Sequence, residues 1–355
     1  MNFPIFKTKN SEISQVFKLE DPVGRRKYFE AKAGPEIEKL RDYLRDNTFV
    51  GFLLGPKGSG KGTYTKLFME AVGGDRVAHI SLGDIVRSVH KELEDPEKKK
   101  QLIGFLSERY RGFITIDQAL DIILGRDTKT LLPTEIALAL LEREISKLEK
   151  KAIFIDGFPR NLDQISYSLY FRALIGYRDD PDFFVFINVP EAVISERMKF
   201  RVICPKCQTP RNSKLARTKE VQYDENDKQF YLICDNPTCE GYGNSRMVGK
   251  EGDSLGIEAI RGRIEVDKKV METLTSLQGA PKVYLRNSIP VSVSKDYIDD
   301  YEITPAYRYE KKENGVEVIE EPWIIKDDEG ADSYSLLAPP VAVSLIKQVA
   351  QALGL

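Results

Sequence analysis

Two groupings in the 355-residue sequence combine residue types and spacings that do chemistry. The first is Gly55-Pro56-Lys57-Gly58-Ser59-Gly60-Lys61-Gly62-Thr63. Glycines let backbone N–H groups close around phosphate oxygens, a following helix adds partial positive charge, and a lysine at its mouth reaches the β and γ phosphates of a nucleotide. The general phosphate-loop pattern has Ser or Thr directly after that lysine. Here Gly62 stands there and Thr63 follows, so a Mg²⁺ ion is expected to be held more through phosphates and water than through a hydroxyl. The second grouping is Cys204-Pro-Lys-Cys207 with Cys234-Asp-Asn-Pro-Thr-Cys239. These are the chain's four cysteines, in two close pairs, which in a reducing compartment point to metal before disulfide. They read as one tetrahedral Zn²⁺ site, and four thiolates leave no open position for catalysis, so the site is structural.

The Gly-Lys-Gly-Thr form of the loop resembles that of the adenylate kinases and their nucleoside monophosphate kinase relatives, and the resemblance covers most of the chain beyond it. Ile80-Ser81-Leu82-Gly83-Asp84-Ile85-Val86-Arg87 is similar to the segment that opens the family's monophosphate-binding arm, which implies that Leu82 and Gly83 meet AMP and that Arg87 grips its phosphate. Leu82 stands where the family usually has Thr. The stretch beginning Thr130-Leu131-Leu132-Pro133 is similar to the helix returning from the arm, and the arm between is enlarged. Ile155-Asp156-Gly157-Phe158-Pro159-Arg160-Asn161-Leu162-Asp163-Gln164 is the second diagnostic element. By resemblance Asp156 orients Mg²⁺ through water, Gly157 and Arg160 hold the acceptor, and Gln164 binds the adenine edge. A glutamine both donates and accepts, and pyrimidine-directed relatives tend to place Asn there.

The same resemblance has Arg197 stack on the ATP base and Arg201 contact phosphate, with Arg246 and Arg263 closing on the transferring group from the exit of a zinc-bearing lid. Arg263 is chosen over Arg261 because Ile-Glu-Val follows it. It implies ATP binding by Gly55, Gly58, Ser59, Gly60, Lys61, Gly62, Thr63 and Arg197, and catalysis by Lys61, Asp156, Arg160, Arg201, Arg246 and Arg263. Arg197 and Arg201, four apart, are expected on one helix face. The ATP base is also expected to meet backbone near Ala338 to Pro340. His79 and His90 show no partner pattern and read as structural.

Elements that position these residues follow from hydrophobic patterning. Continuous apolar runs at Thr48–Leu54, Val77–Ile80, Ala152–Ile155 and Phe183–Val189 read as buried strands. Helical periodicity marks Pro35–Leu44, Lys61–Ala71, Pro133–Leu148, Glu191–Lys199 and Val341–Leu353. Alternation of the two predicts an α/β fold, a P-loop-type parallel sheet flanked by helices. The resemblance adds an inserted arm and a four-cysteine lid. The expected divisions are an N-terminal extension, 1–47; a core of 48–82, 130–200 and 253–355; an arm, 83–129, ending in a polar turn at Gly125–Lys129; and a lid, 201–252. Tyr-, Ile- and Val-rich sequence at 295–335, broken by Lys312-Glu313-Asn314-Gly315, predicts an added hairpin packed by Trp323.

Composition narrows the function classes. With 53 basic and 55 acidic groups and a net charge of −2, no global field marks a nucleic-acid or membrane binder. No apolar run approaches a membrane span, and the N-terminus lacks the pattern of a secretory signal, so the cytoplasm is expected. The implied reaction is ATP + AMP to two ADP. The rivals are a kinase for UMP, CMP or GMP, and a nucleotide-regulated nucleic-acid-binding zinc protein. Oligomeric state is left open.

Overall fold

The computed structural model describes residues 3–13, 15–125, 132–250, 252–253, 255–313 and 315–355. In chain order the first part runs α1 (Pro22–Asp46), β1 (Val50–Leu54), α2 (Lys61–Val72), β2 (Val77–Ser81), α3 (Leu82–Leu93), α4 (Pro96–Arg109), α5 (Ile116–Gly125), α6 (Thr134–Ser146), β3 (Ala152–Asp156), α7 (Asp163–Leu174), β4 (Asp182–Asn188) and α8 (Glu191–Lys199). A cysteine-bearing module follows, with β5 (Arg201–Ile203), β6 (Pro210–Asn212), β7 (Val221–Asp224), β8 (Gln229–Leu232) and β9 (Val248–Gly249). The chain then returns through α9 (Arg261–Ser276), β10 (Lys282–Arg286), β11 (Ser288–Pro290), α10 (Val291–Tyr297), β12 (Pro305–Lys312), β13 (Gly315–Pro322), β14 (Ile324–Lys326), β15 (Asp332–Ser335) and α11 (Ala338–Ala352).

Five strands form the central sheet in the order β10-β4-β1-β3-β2, every neighbour parallel. All five residues of β1 are buried, because a parallel sheet has helices on both faces. Alternation then sends Leu53, Phe154 and Val185 to a cluster under α1, α2 and α11. Phe52, Ile155 and Phe184 go to a second cluster under α3, α6 and α7. The four expected strands are present. The fifth, Lys-Val-Tyr-Leu-Arg, has charged ends and buries only Val283 and Leu285 fully, as suits an edge strand.

The helix expected at Pro35–Leu44 is the second half of α1. Asp21 caps its start by accepting the Gly24 N–H. Pro35 lacks an N–H and kinks it near Ala33, which carries φ −148°. The first 47 residues therefore do not stand apart: Tyr28, Phe29, Ala33, Ile37, Leu40 and Leu44 are buried in the first cluster. At roughly 1.5 to 3 kcal/mol for each large side chain, this burial is substantial. Lys32, almost wholly enclosed, donates to the Thr8 carbonyl at 2.9 Å and pairs with Asp299 at 2.8 Å. The fully buried Glu302 accepts hydrogen bonds from Thr8 Oγ1 and Tyr28.

The added hairpin is β12–β13, closing on the Lys312↔Gly315 pair, so Gly315 is the first residue of β13; Asn314 lies outside the described residues. The turn expected around Gly125–Lys129, beyond Gly125, and Thr130 and Leu131 of the return segment also lie outside them. Trp323 is buried at the root of the hairpin. Among the described residues no helix is long and apolar enough to cross a membrane.

Candidate active site and cysteine centre

Between β1 and α2 the glycine-rich loop turns back over the carboxyl end of the sheet. Gly60 takes φ +99°, and a Cβ there would lie 2.8 Å from the Tyr64 ring, so only glycine fits. Lys61, the first residue of α2, donates to the carbonyls of Gly55 at 2.7 Å and Pro56 at 3.1 Å, and its Nζ lies 3.7 Å from Asp156 Oδ1. Ser59 is fully buried, and its hydroxyl has no hydrogen-bond partner among the described residues. Gly62 and Thr63 sit in the first turn of α2. A Cβ at Gly62 would come 3.5 Å from His79 Cε1.

Asp156 ends β3, in register with Leu53 of β1 and Ser81 of β2, which places its carboxylate beside the loop. Gly157 follows at φ +87°, a turn that a side chain would strain. Phe158 is buried against Phe52 and Phe171, anchoring the loop that carries Arg160. Gly55, Lys61, Asp156, Gly157 and Arg160 line one cavity together with Arg263 and Asp267 of α9. The Nε of Arg263 is buried without a partner among the described residues. Burial pushes the Asp267 carboxyl up to about 6, against the pull of Lys61 and Arg263, with Asp156 adding to the rise. His79 Nε2 lies 3.9 Å from Asp156 Oδ2; burial lowers its pKa although Asp156 pulls the other way.

The remaining expected residues lie outside this cavity. Arg197 donates to the Gly58 carbonyl at 3.2 Å and to Asn287 Oδ1 at 3.1 Å. Arg201 does not share its helix face: α8 ends at Lys199, Phe200 caps it, and Arg201 opens β5, paired with Asp253 at 2.6 Å. The spacing of four fails because the chain changes from helix to strand between them. Arg246 pairs with Asp224 at 2.5 Å and Asp227 at 3.5 Å and stacks on Tyr231. Arg87 pairs with Asp84 on exposed α3 surface, next to Gly83. Leu82 is buried, 3.5 Å from where a Cβ of Gly157 would stand. Gln164 is buried and accepts the Arg160 N–H at 2.8 Å, leaving its amide NH₂ group. Arg261 is exposed and pairs with Glu258 and Glu191. Ala338 to Pro340 open α11, the last element of the chain.

Two residues at the site, Asp267 and Asn287, went unread in the sequence, and a third, His79, is expected there only as structural. Asp267 lies one helical turn beyond Arg263, a spacing that puts both on one face. His79 was read as structural, yet it stands on β2 two residues before the position paired with Asp156. Asn287, just past β10, accepts from Arg197 and Ser335 and donates to the Leu336 carbonyl. Nothing in the local sequence marks it.

The four cysteines gather although 26 residues separate the pairs. Their Sγ atoms all lie within 4.8 Å of one another, with Cys204–Cys239 and Cys207–Cys234 each at 3.8 Å. A tetrahedron with Zn–S bonds of about 2.3 Å has edges of about 3.8 Å, so the sulfurs fit such an ion. The Thr209 hydroxyl, then its amide, hold the Cys207 thiol down to about 6. The Gly241 N–H donates to Cys239 Sγ at 3.3 Å.

The chain is similar in sequence to known proteins. A family model described as an AAA domain matches residues 54–202. The chain is similar to the adenylate kinase of Thermotoga neapolitana, 28% identical over 226 residues, covering 58% of this chain and 91% of the relative. It is similar to that of Thermotoga maritima at 27% over the same span and coverage. To that of Clostridium botulinum strain Loch Maree it is 33% identical over 156 residues, 44% of this chain and 60% of the relative.

Proposed function

We propose that the chain is a P-loop phosphotransferase of the adenylate kinase type, a nucleoside monophosphate kinase that moves the γ-phosphoryl group of Mg·ATP reversibly onto AMP, giving two ADP. The observation that carries this reading is the convergence of Lys61, Asp156, Arg160 and Arg263 on one cavity outside the carboxyl ends of β1 and β3. That crevice is where the strand order reverses and where open α/β sheets bind ligands.

Phosphoryl transfer asks for positioning and charge stabilisation more than covalent chemistry. Backbone N–H groups of Gly58 to Thr63 and the start of α2 cradle the donor phosphates, with Ser59 and Gly55 shaping the loop. Lys61 exchanges its carbonyl partners for the β and γ oxygens. Arg160 holds the acceptor phosphate, Arg263 meets the transferring group from α9, and Arg87 joins from the arm. Mg²⁺ bound with ATP would supply neutralisation of phosphate charge, and Asp156 would be the carboxylate that holds it. Arg197 stands beside the loop to stack on the donor base. The NH₂ of Gln164 donates to an acceptor on the adenine edge, with Leu82 and Gly157 packing beneath.

Residues 83–129 act as the monophosphate arm and 201–252 as a lid whose four cysteines hold Zn²⁺, a closed site that supplies folding energy and no chemistry. Arg201 and Arg246 leave Asp253 and Asp224 as the lid folds over the phosphates, and closure keeps water from the γ-phosphate. The test is initial-rate transfer from Mg·ATP to AMP, UMP, CMP and GMP in parallel, with ADP formation read directly. A strong preference for AMP is expected. Equal or better use of another base would overturn the role given to Gln164, and no transfer to any would overturn the reaction.

A further inference from the structure

We propose that the β12–β13 hairpin is a strap that grips the cysteine module from the core side, so that hairpin and module move as one body about the base of the hairpin. Backbone and side chains both make the grip. The Tyr307 N–H donates to the Lys214 carbonyl at 2.8 Å, and the Tyr309 hydroxyl donates to the Ser213 carbonyl. The Tyr309 ring packs 5.7 Å from Phe230 and joins the apolar cluster of Cys204, Leu232, Cys234, Cys239 and Met247. Arg217 lies 5.3 Å from the centre of the Tyr307 ring, while Lys311 pairs with Glu225 and sits 5.0 Å over Tyr223. Apart from that apolar cluster, the module residues gripped fall between Ser213 and Phe230, in the excursion that separates the two cysteine pairs. Past β6, which pairs with the strand that opens on Arg201, that excursion holds two short strands, β7 and β8, that form a separate sheet. Two strands alone are marginal in water, and the hairpin supplies the cover they lack.

The hairpin is attached to the core in a different way. Its lowest ladder pair is Pro305↔Pro322, and neither residue has an N–H to give, so no ladder bond closes there. Just outside that base the chain is firmly rooted: the Thr304 N–H donates to the Ser335 carbonyl at 2.8 Å, and Trp323 is buried. A firm root, a donor-free base and a gripped shaft together form a pivot. Moving the module against a fixed hairpin breaks two hydrogen bonds and an ion pair and strips cover from two tyrosine rings. Moving both together keeps that grip; it costs rotation at the two prolines and the bonds that tie Asn212 and Lys214 to the last turn of α8. The grip holds whether or not the module is a lid; as a lid, its travel is set by this pivot.

Amide hydrogen exchange on the full-length protein tests the proposal, comparing wild type with Tyr307→Ala/Tyr309→Ala/Lys311→Ala and with Tyr309→Phe. In the triple variant, amides of residues 213–232 are expected to exchange about tenfold faster while β1 and α2 stay unchanged, as local opening without global unfolding requires. Tyr309→Phe keeps the ring and loses one hydrogen bond, so about two- to threefold faster exchange confined to 213–217 is expected. Exchange of 213–232 within twofold of wild type, in a triple variant whose other peptides are unchanged, would overturn the strap. Should the triple variant not fold, unchanged exchange at 213–217 in Tyr309→Phe would overturn it alone.

Discussion

The phosphate pocket and the cysteine module solve opposite problems with the same kinds of side chain. In the pocket, backbone positions are fixed by a sheet buried on both faces, and polar groups are left short of partners: Ser59 Oγ, His79 Nε2 and Arg263 Nε have none among the described residues. In the module the apolar cluster is small, and three arginines are paired locally, Arg201 with Asp253, Arg211 with Asp235 and Arg246 with Asp224 and Asp227, while Arg217 Nε has no hydrogen-bond partner among the described residues. Burial stabilises the first region and leaves its charges available for a ligand. The second has ion pairs and four clustered sulfurs which, on the proposed function, hold a metal. Perturbing one kind of support should therefore damage one region and spare the other.

The largest effect is expected at the sulfurs. On the proposed Zn²⁺ site, chelation or Cys234→Ser is expected to unfold residues 201–250 and leave the parallel sheet intact, since structural zinc contributes on the order of 10 kcal/mol in small modules. Metal content per chain and hydrogen exchange by region check this; a metal-free chain with full protection in the module would break the comparison. Next comes Lys61→Ala, which is expected to lower kcat about 10³-fold, roughly 4 kcal/mol, with the thermal midpoint nearly unchanged. A midpoint drop of comparable free energy would mean that Lys61 supports the fold as much as the phosphates.

A finer cut separates two arginines only two residues apart. Arg263 lines the cavity and Arg261 is spent on exposed glutamates. Arg263→Ala is therefore expected to lower kcat/KM about 10²-fold, near 3 kcal/mol, while Arg261→Ala stays within about threefold, because exposed ion pairs contribute little. Equal effects would show that the clamp is not chosen by position on the helix.

What was legible in the sequence was whatever depends on local pattern. Continuous apolar runs marked four buried strands, the glycine spacing marked the loop, and paired cysteines marked their centre. The fifth strand was hidden because an edge position needs burial on few residues, which leaves Lys282 and Arg286 in view. The first half of α1 was hidden because Pro35 sits inside it and breaks the period. The partners of the arginines were hidden because they lie far along the chain: Asp253 is 52 residues from Arg201, and Asn287 is 90 from Arg197. Such pairs arise only when the chain closes on itself.

The smallest effect concerns a carboxyl group that the sequence did not mark. Asp267 faces the same cavity as Lys61 and Arg263, yet burial outweighs those cations and its carboxyl titrates near about 6, above the usual 3.8. In the folded chain the proton is held more tightly than in the unfolded one, so ionisation costs the folded state. Wild type is therefore expected to lose stability relative to Asp267→Asn as pH rises from about 4 to about 6, with the gap constant above that. The full shift corresponds to about 3 kcal/mol, and because the side chain keeps some contact with solvent, a gap of about 1 to 2 kcal/mol is expected at pH 7.5. Thermal unfolding of both proteins at pH 4, 5, 6 and 7.5 measures it. A gap of the same size at pH 4 as at pH 7.5 would mean that packing, not charge, distinguishes the two side chains, and the pocket would then tolerate a buried anion better than its shortage of partners implies.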